Sequence, residues 1–105
     1  MPNSLRLITA VVQHKVGDKV LDAALKAGAT GATYFFAEGT GVRQAVHNDS
    51  IEVAKRAVFI VVETAKADTV LAAVVAAGGL DKPGQGFACV QEVLKAVGFV
   101  SAAAA

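Results

Sequence analysis

The sequence predicts an α+β fold in the order β-α-β-β-α-β, a four-stranded antiparallel sheet with two helices on one face. Three observations carry that reading. Apolar runs of strand length alternate with stretches of helical periodicity. Glycines follow both helical stretches. The two halves also echo each other: Asp18, Val20, Leu21, Ala23, Ala27 and Gly28 recur as Asp68, Val70, Leu71, Ala73, Ala77 and Gly78. Two copies of one βαβ unit in this order give the ferredoxin-like pattern.

The elements follow in order. Leu5–Gln13 is short, β-branched and almost continuously apolar, which predicts a central strand. In Val16–Ala27 the apolar residues Val16, Val20, Leu21, Ala24 and Ala27 recur at helical spacing, with Lys15, Asp18, Lys19, Asp22 and Lys26 largely opposite them. Gly28 stands where a helix end favours a left-handed residue. Ala32–Ala37 is a second strand, and Glu38–Ala54 is polar, glycine-bearing and aperiodic, hence a loop. Lys55–Glu63 is a third strand. Ala67–Ala77 is a second helix with Asp68 as its N-cap, ended by Gly78-Gly79. A Pro/Gly loop over 80–85 leads to a fourth strand, Gly86–Gln91, and Glu92–Val97 reads as a last helical turn. Ser101–Ala105 is a low-complexity tail.

Length and composition narrow the function classes. At 105 residues the chain forms a single domain. Ten Lys and Arg against nine Asp and Glu leave a net charge of +1, which argues against binding nucleic acid by bulk charge. The chain is 54% hydrophobic and only 18% charged. That polar surface is thin for a monomer, and the sheet face away from the helices, with residues such as Val11, Phe35 and Phe59, lacks a cover. Wet apolar area costs on the order of 25 cal/mol per Å². Self-association through the open faces removes that cost. One cysteine, Cys89, excludes an internal disulfide and reads as a small core residue of its strand. The first residues have no leader pattern, and no apolar run reaches membrane-spanning length. A cytoplasmic protein, in contact with a membrane only through a partner, is the expectation.

With the elements in place, three segments point to a family. Leu7-Ile8-Thr9-Ala10-Val11-Val12 looks like the opening strand of the nitrogen-regulatory PII signalling proteins. Glu38-Gly39-Thr40-Gly41-Val42-Arg43-Gln44 is similar to the Gly-x-Gly-Arg-Gln at the base of their T-loop, with one residue inserted before the Arg. Gly84-Gln85-Gly86 resembles the core of their B-loop, and Lys55 stands where the family has a lysine before the third strand. The resemblance spans about residues 5 to 98. It implies a homotrimer with an adenine-nucleotide site in each cleft between subunits, and control of a partner transporter or enzyme through a T-loop-like segment, here 38–54. It also implies a signalling protein, not an enzyme. Bicarbonate enters as a further candidate effector because divergent members are linked with inorganic-carbon uptake.

The departures from the family pattern shape the expected ligand. The T-loop-like segment is short and has no Tyr, and Ser50 is its only serine. Phe87 stands where the family has a phosphate-binding lysine after the B-loop glycines. Gly98-Phe99-Val100-Ser101 and alanines replace the family's C-terminal arginines. Charge-assisted phosphate contacts are each worth roughly 1.5–3 kcal/mol, so losing them weakens triphosphate binding most. The expected effector is a nucleotide with fewer phosphates than ATP, such as ADP, AMP or a cyclic nucleotide.

Residue by residue, the candidate site has two loops and a lysine. Gly39, Thr40 and Gly41 read either as a plain turn or as an anion-binding nest of amides, with Arg43 and Gln44 beside it. Lys82, Gly84, Gln85 and Gly86 read either as an ordinary helix-to-strand connection or as a phosphate cradle in which Lys82 stands in for the missing lysine. Lys55 and Arg56 are adjacent in a strand and face opposite ways; the resemblance favours Lys55 for the cleft and leaves Arg56 solvated. Tyr34-Phe35-Phe36 reads as core and subunit interface. His14, His47 and Cys89 do not make a tetrahedral metal site within one chain. A trimer shares ligands, however, so a CutA-like metal-binding or structural trimer without a nucleotide site is the alternative. No catalytic constellation of paired carboxylates, Ser/His/Asp or H-E-x-x-H occurs.

Overall fold

A computed structural model describes residues 4–38 and 54–98. Strand β1 (Leu5–Gln13) runs into a 3-10 turn (His14–Val16) and helix α1 (Gly17–Lys26). Strands β2 (Thr33–Glu38) and β3 (Ala54–Glu63) follow, then helix α2 (Thr64–Gly78) and strand β4 (Gly86–Val93). All pairings are antiparallel, and the sheet order is β2-β3-β1-β4. The expected α+β, ferredoxin-like order is present. The expected 39–53 loop interior and the 101–105 tail lie outside the described residues.

Side-chain alternation sorts the sheet into two faces. Ile8, Ala10 and Val12 of β1 and Val58, Ile60 and Val62 of β3 point towards the helices. They meet Val20 and Ala24 of α1 and Val70 and Val74 of α2, and this is the core. The echo between the halves is real in packing, because Val20 and Val70 are both fully buried. The other face carries Phe35 on β2, Phe59 on β3 and Phe87 on β4, all exposed. Phe35 and Phe59 meet edge to face, with ring centroids 5.4 Å apart. No described helix is long and apolar enough to cross a membrane.

Several boundaries differ from expectation. α1 starts at Gly17, because Val16 closes the 3-10 turn. α2 starts at Thr64, and Asp68 lies inside it rather than capping it. Two bonds from the chain's N-terminal side make an earlier start possible. The Thr64 amide donates to the Ser4 carbonyl at 3.0 Å, and the two hydroxyls, Ser4 Oγ and Thr64 Oγ1, are 2.5 Å apart. Gly79 ends α2 in the left-handed region, φ 66° and ψ 32°, with its amide on the Val75 carbonyl.

The expected final helical turn at Glu92–Val97 is absent. β4 continues to Val93, because Glu92 and Val93 pair with Arg6 and Leu5 of β1. Arg6 Nη1 and Glu92 Oε2 add a loose ion pair at 3.9 Å. Leu94–Gly98 is irregular. Cys89 is exposed on the open face of edge strand β4, not a core residue, since nothing described covers that face. Tyr34, Phe35 and Phe36 are likewise exposed rather than core. β2 is an edge strand, and the helix layer lies chiefly over its neighbours.

Candidate functional site

The chain builds a polar node at one end of the sheet. Gln13 is the last residue of β1, and its register partner is Lys55, near the start of β3. Both therefore lie on the open face. Gln13 is 2% exposed and Lys55 6%. The loop between α2 and β4 comes to the same place: Gln13 Nε2 donates to the Gly84 carbonyl at 3.3 Å. With its amide so oriented, Gln13 Oε1 has no hydrogen-bond partner among the described residues. A buried acceptor left unpaired costs about 1–3 kcal/mol. The node thus offers a cationic lysine and a carbonyl oxygen in want of a donor.

The loop's glycines have distinct tasks. Gly86 adopts φ 138°, and a Cβ there would stand 2.0 Å from the Val11 carbonyl oxygen. Only glycine lets β4 enter the ladder beside β1 at that point. Gly84 adopts φ 81°, which turns its carbonyl towards Gln13. The Gln85 amide reaches back to the Lys82 carbonyl at 3.5 Å, and the Lys82 amide to the Gly79 carbonyl at 3.1 Å.

Lys82 itself is elsewhere. It lines an open groove of about 660 Å³ on the outer side of α2, with Leu71, Ala72, Val75, Asp68 and Asp81. A second hollow of about 330 Å³ lies among Thr30, Thr33, Phe59, Val61 and Gly98. It is four to six residues along β3 from Lys55, or roughly 13–20 Å at about 3.3 Å per residue. Of the expected site residues, the structure gathers Lys55 and Gly84 around Gln13 and sets Gly86 next in the strand beside them. Gly39, Thr40, Gly41, Arg43 and Gln44 lie outside the described residues.

Two residues that sequence reasoning passed over matter here. Gln13 read as the polar end of an apolar run; its sole signal was that position. Arg56 was expected in solvent, yet its side chain is 11% exposed. It points to the helix side, opposite Lys55, as strand alternation requires. Its Nη1 binds Asp18 Oδ1 at 3.1 Å. Its guanidinium carbon lies 4.5 Å from the Tyr34 ring centroid and 4.9 Å from that of Phe36. The arginine is buried because two aromatic rings and the start of α1 close over it.

Among the described residues, no cluster of three His, Cys, Asp or Glu side chains is placed to hold a metal ion. His14 stacks obliquely on Phe36, ring centroids 5.2 Å apart, and its buried Nδ1 has no partner among the described residues.

The fold has clear relatives among solved structures. The structure of Arabidopsis thaliana PII bound to citrate superposes with a TM-score of 0.68 at 24% identity, over 87% of this chain and 78% of that one. A Bacillus cereus protein related to NIF3 matches with a TM-score of 0.70 at 14% identity, over 89% of this chain but 26% of that one. At these identities the likeness is one of fold. Comparison of the sequence with curated proteins gives no match. The family model for nitrogen regulatory protein P-II, however, matches residues 5–98, which include both strands of the Gln13–Lys55 node and the loop that closes it. The chain belongs to the nitrogen regulatory protein P-II family.

Proposed function

We propose that this chain is a non-enzymatic signalling protein of the P-II family that assembles as a homotrimer. It binds a small anionic effector in the clefts between subunits and regulates a partner transporter or enzyme through the segment 38–54. The observation that carries this reading is the node: buried Lys55 opposite buried Gln13, whose Oε1 lacks a donor among the described residues, with the Gly84 loop bonded to Gln13. A ligand that suits both groups carries a negatively charged oxygen next to a hydroxyl or N–H. ADP and AMP carry that pair in phosphate and ribose; bicarbonate carries it in one small ion. The Arabidopsis relative was solved with citrate, another oxyanion with a hydroxyl.

Geometry supports placing the effector between subunits. The node and the hollow at Phe59 and Val61 lie four to six residues apart along β3, and both border the open face. Neither encloses a nucleotide alone. Apposed copies that cover Phe35, Phe59 and Phe87 bring walls to both. Lys82 lines the groove on α2 rather than the node, which leaves Lys55 as the described lysine there and favours an effector with few phosphates.

Isothermal titration of the purified protein tests the reading. ADP or AMP binds, ATP binds less than tenfold tighter than either, and Lys55→Ala weakens binding by about tenfold or more, the worth of one charge-assisted contact. Bicarbonate, alone and with each nucleotide, is a further arm. Absence of binding by every one of these ligands contradicts the proposal. A melting shift with copper or zinc and none with nucleotide turns the reading to the CutA-like one.

A further inference from the structure

We infer that Arg56 is a positioning residue for the Lys55–Gln13 node, acting from the opposite face of the sheet. The inference rests on the reading of that node as the effector site. Four observations on this chain converge on it.

First, Arg56 follows Lys55 in β3, so fixing one side chain fixes the pleat from which the other projects. Second, its ion partner Asp18 lies on the chain segment that begins with Gln13: β1 ends at Gln13, the 3-10 turn covers His14–Val16, and Asp18 is the second residue of α1. The Asp18–Arg56 bond therefore staples together, on the helix side, the two segments that present Gln13 and Lys55 on the open side. Third, the guanidinium lies against Tyr34 and Phe36 of β2, with Phe36 directly opposite Arg56 in the ladder. Phe36 is 68% exposed and lies at the sheet's edge, away from the helix core. Arg56, with His14 beside Phe36, is thus what these half-open rings pack against at this end of β2.

Fourth, the backbone makes room for it. A Cβ at Gly17 would stand 2.6 Å from Arg56 Cγ, so α1 can begin there only with glycine while the arginine keeps this path. A surface ion pair alone contributes little, and Asp18 is 85% exposed. What distinguishes this arginine is that its guanidinium lies over two rings and also meets one carboxylate. Lysine in its place keeps the charge but loses the flat guanidinium over the rings.

The test reads the node directly and does not depend on an effector. The side-chain amide of Gln13 gives a resolved signal in ¹⁵N-edited NMR, because Nε2 is bonded to the Gly84 carbonyl in a buried site. Arg56→Gln, Arg56→Lys and Asp18→Asn are compared with Val70→Ala, a core control that loosens the fold from a different element, α2. The Arg56 variants move the Gln13 signal and raise its solvent exchange by about fivefold or more, in the range for residues of one network. Asp18→Asn does so to a smaller degree, and Val70→Ala leaves the signal in place although it lowers the melting temperature.

The same variants are titrated with ADP. Where the wild type binds, Arg56→Lys binds about fivefold more weakly, and Val70→Ala binds as the wild type does. If the wild type binds neither ADP nor AMP, the effector reading falls, and the Gln13 signal alone decides the positioning role. A wild-type Gln13 signal in both Arg56 variants overturns the inference, as does an equal displacement in Val70→Ala.

Discussion

Lys55 illustrates how a single residue's chemistry depends on its neighbours. A lysine with 6% exposure stands across the ladder from Gln13, whose side-chain amide donates to the Gly84 carbonyl. The same neighbourhood makes Gly86 sensitive. Gly86→Ala forces a side chain against the Val11 carbonyl at a φ of 138°, and it destabilises the protein by about 3 kcal/mol, measured by urea unfolding. A loss under about 0.5 kcal/mol means that β4 enters the ladder by another path. Of this site, the lysine and the glycine loop were legible in the sequence, since glycine is demanded by backbone geometry that few other residues share. Gln13 was not legible. A polar residue that ends an apolar run is ordinary, and its burial follows only from where the α2–β4 loop lands. Arg56 was half legible. Alternation sets it opposite Lys55, but only the path of α1, with Gly17 against it, decides that the far side is closed rather than wet.

At the scale of elements, the start of α2 separates local signals from tertiary ones. Asp68 has the chemistry of an N-cap, and the sequence offers no stronger competitor in that stretch. The helix begins earlier because Ser4 meets Thr64 with both a backbone and a hydroxyl bond. That partner is sixty residues away, beyond any local pattern. Two substitutions distinguish the readings. Thr64→Val removes the hydroxyl bond and costs about 1 kcal/mol. Asp68→Ala sits on the exposed side within the helix and leaves stability within about 0.5 kcal/mol, whereas loss of a true cap costs about 1 kcal/mol. Thermal or urea unfolding of the two variants decides between them. The end of β4 teaches the same lesson. Glu92–Val97 has the composition of a helical turn, but Glu92 and Val93 face vacant ladder positions on β1, and the sheet claims them. The core strands and both helices were recovered within a few residues, because their periodicity is set by burial against each other.

The whole molecule has one face too apolar for its surroundings. Phe35, Phe59 and Phe87 are 42–55% exposed on the side of the sheet away from the helices. Each carries a large apolar area at roughly 25 cal/mol per Å², a cost that association removes. Phe59→Asp places a charge in the middle of that face and leaves the helix-side core untouched. The variant is folded by circular dichroism but sediments as a smaller species than the wild type, and it no longer binds ADP. The proposed effector cleft between subunits depends on this association, whereas the Gln13–Lys55 node forms within one chain. Sedimentation velocity of the wild type in dilute solution is therefore the most direct measurement. One species of three times the protomer mass is expected; a well-folded protomer that stays alone contradicts the proposed trimer.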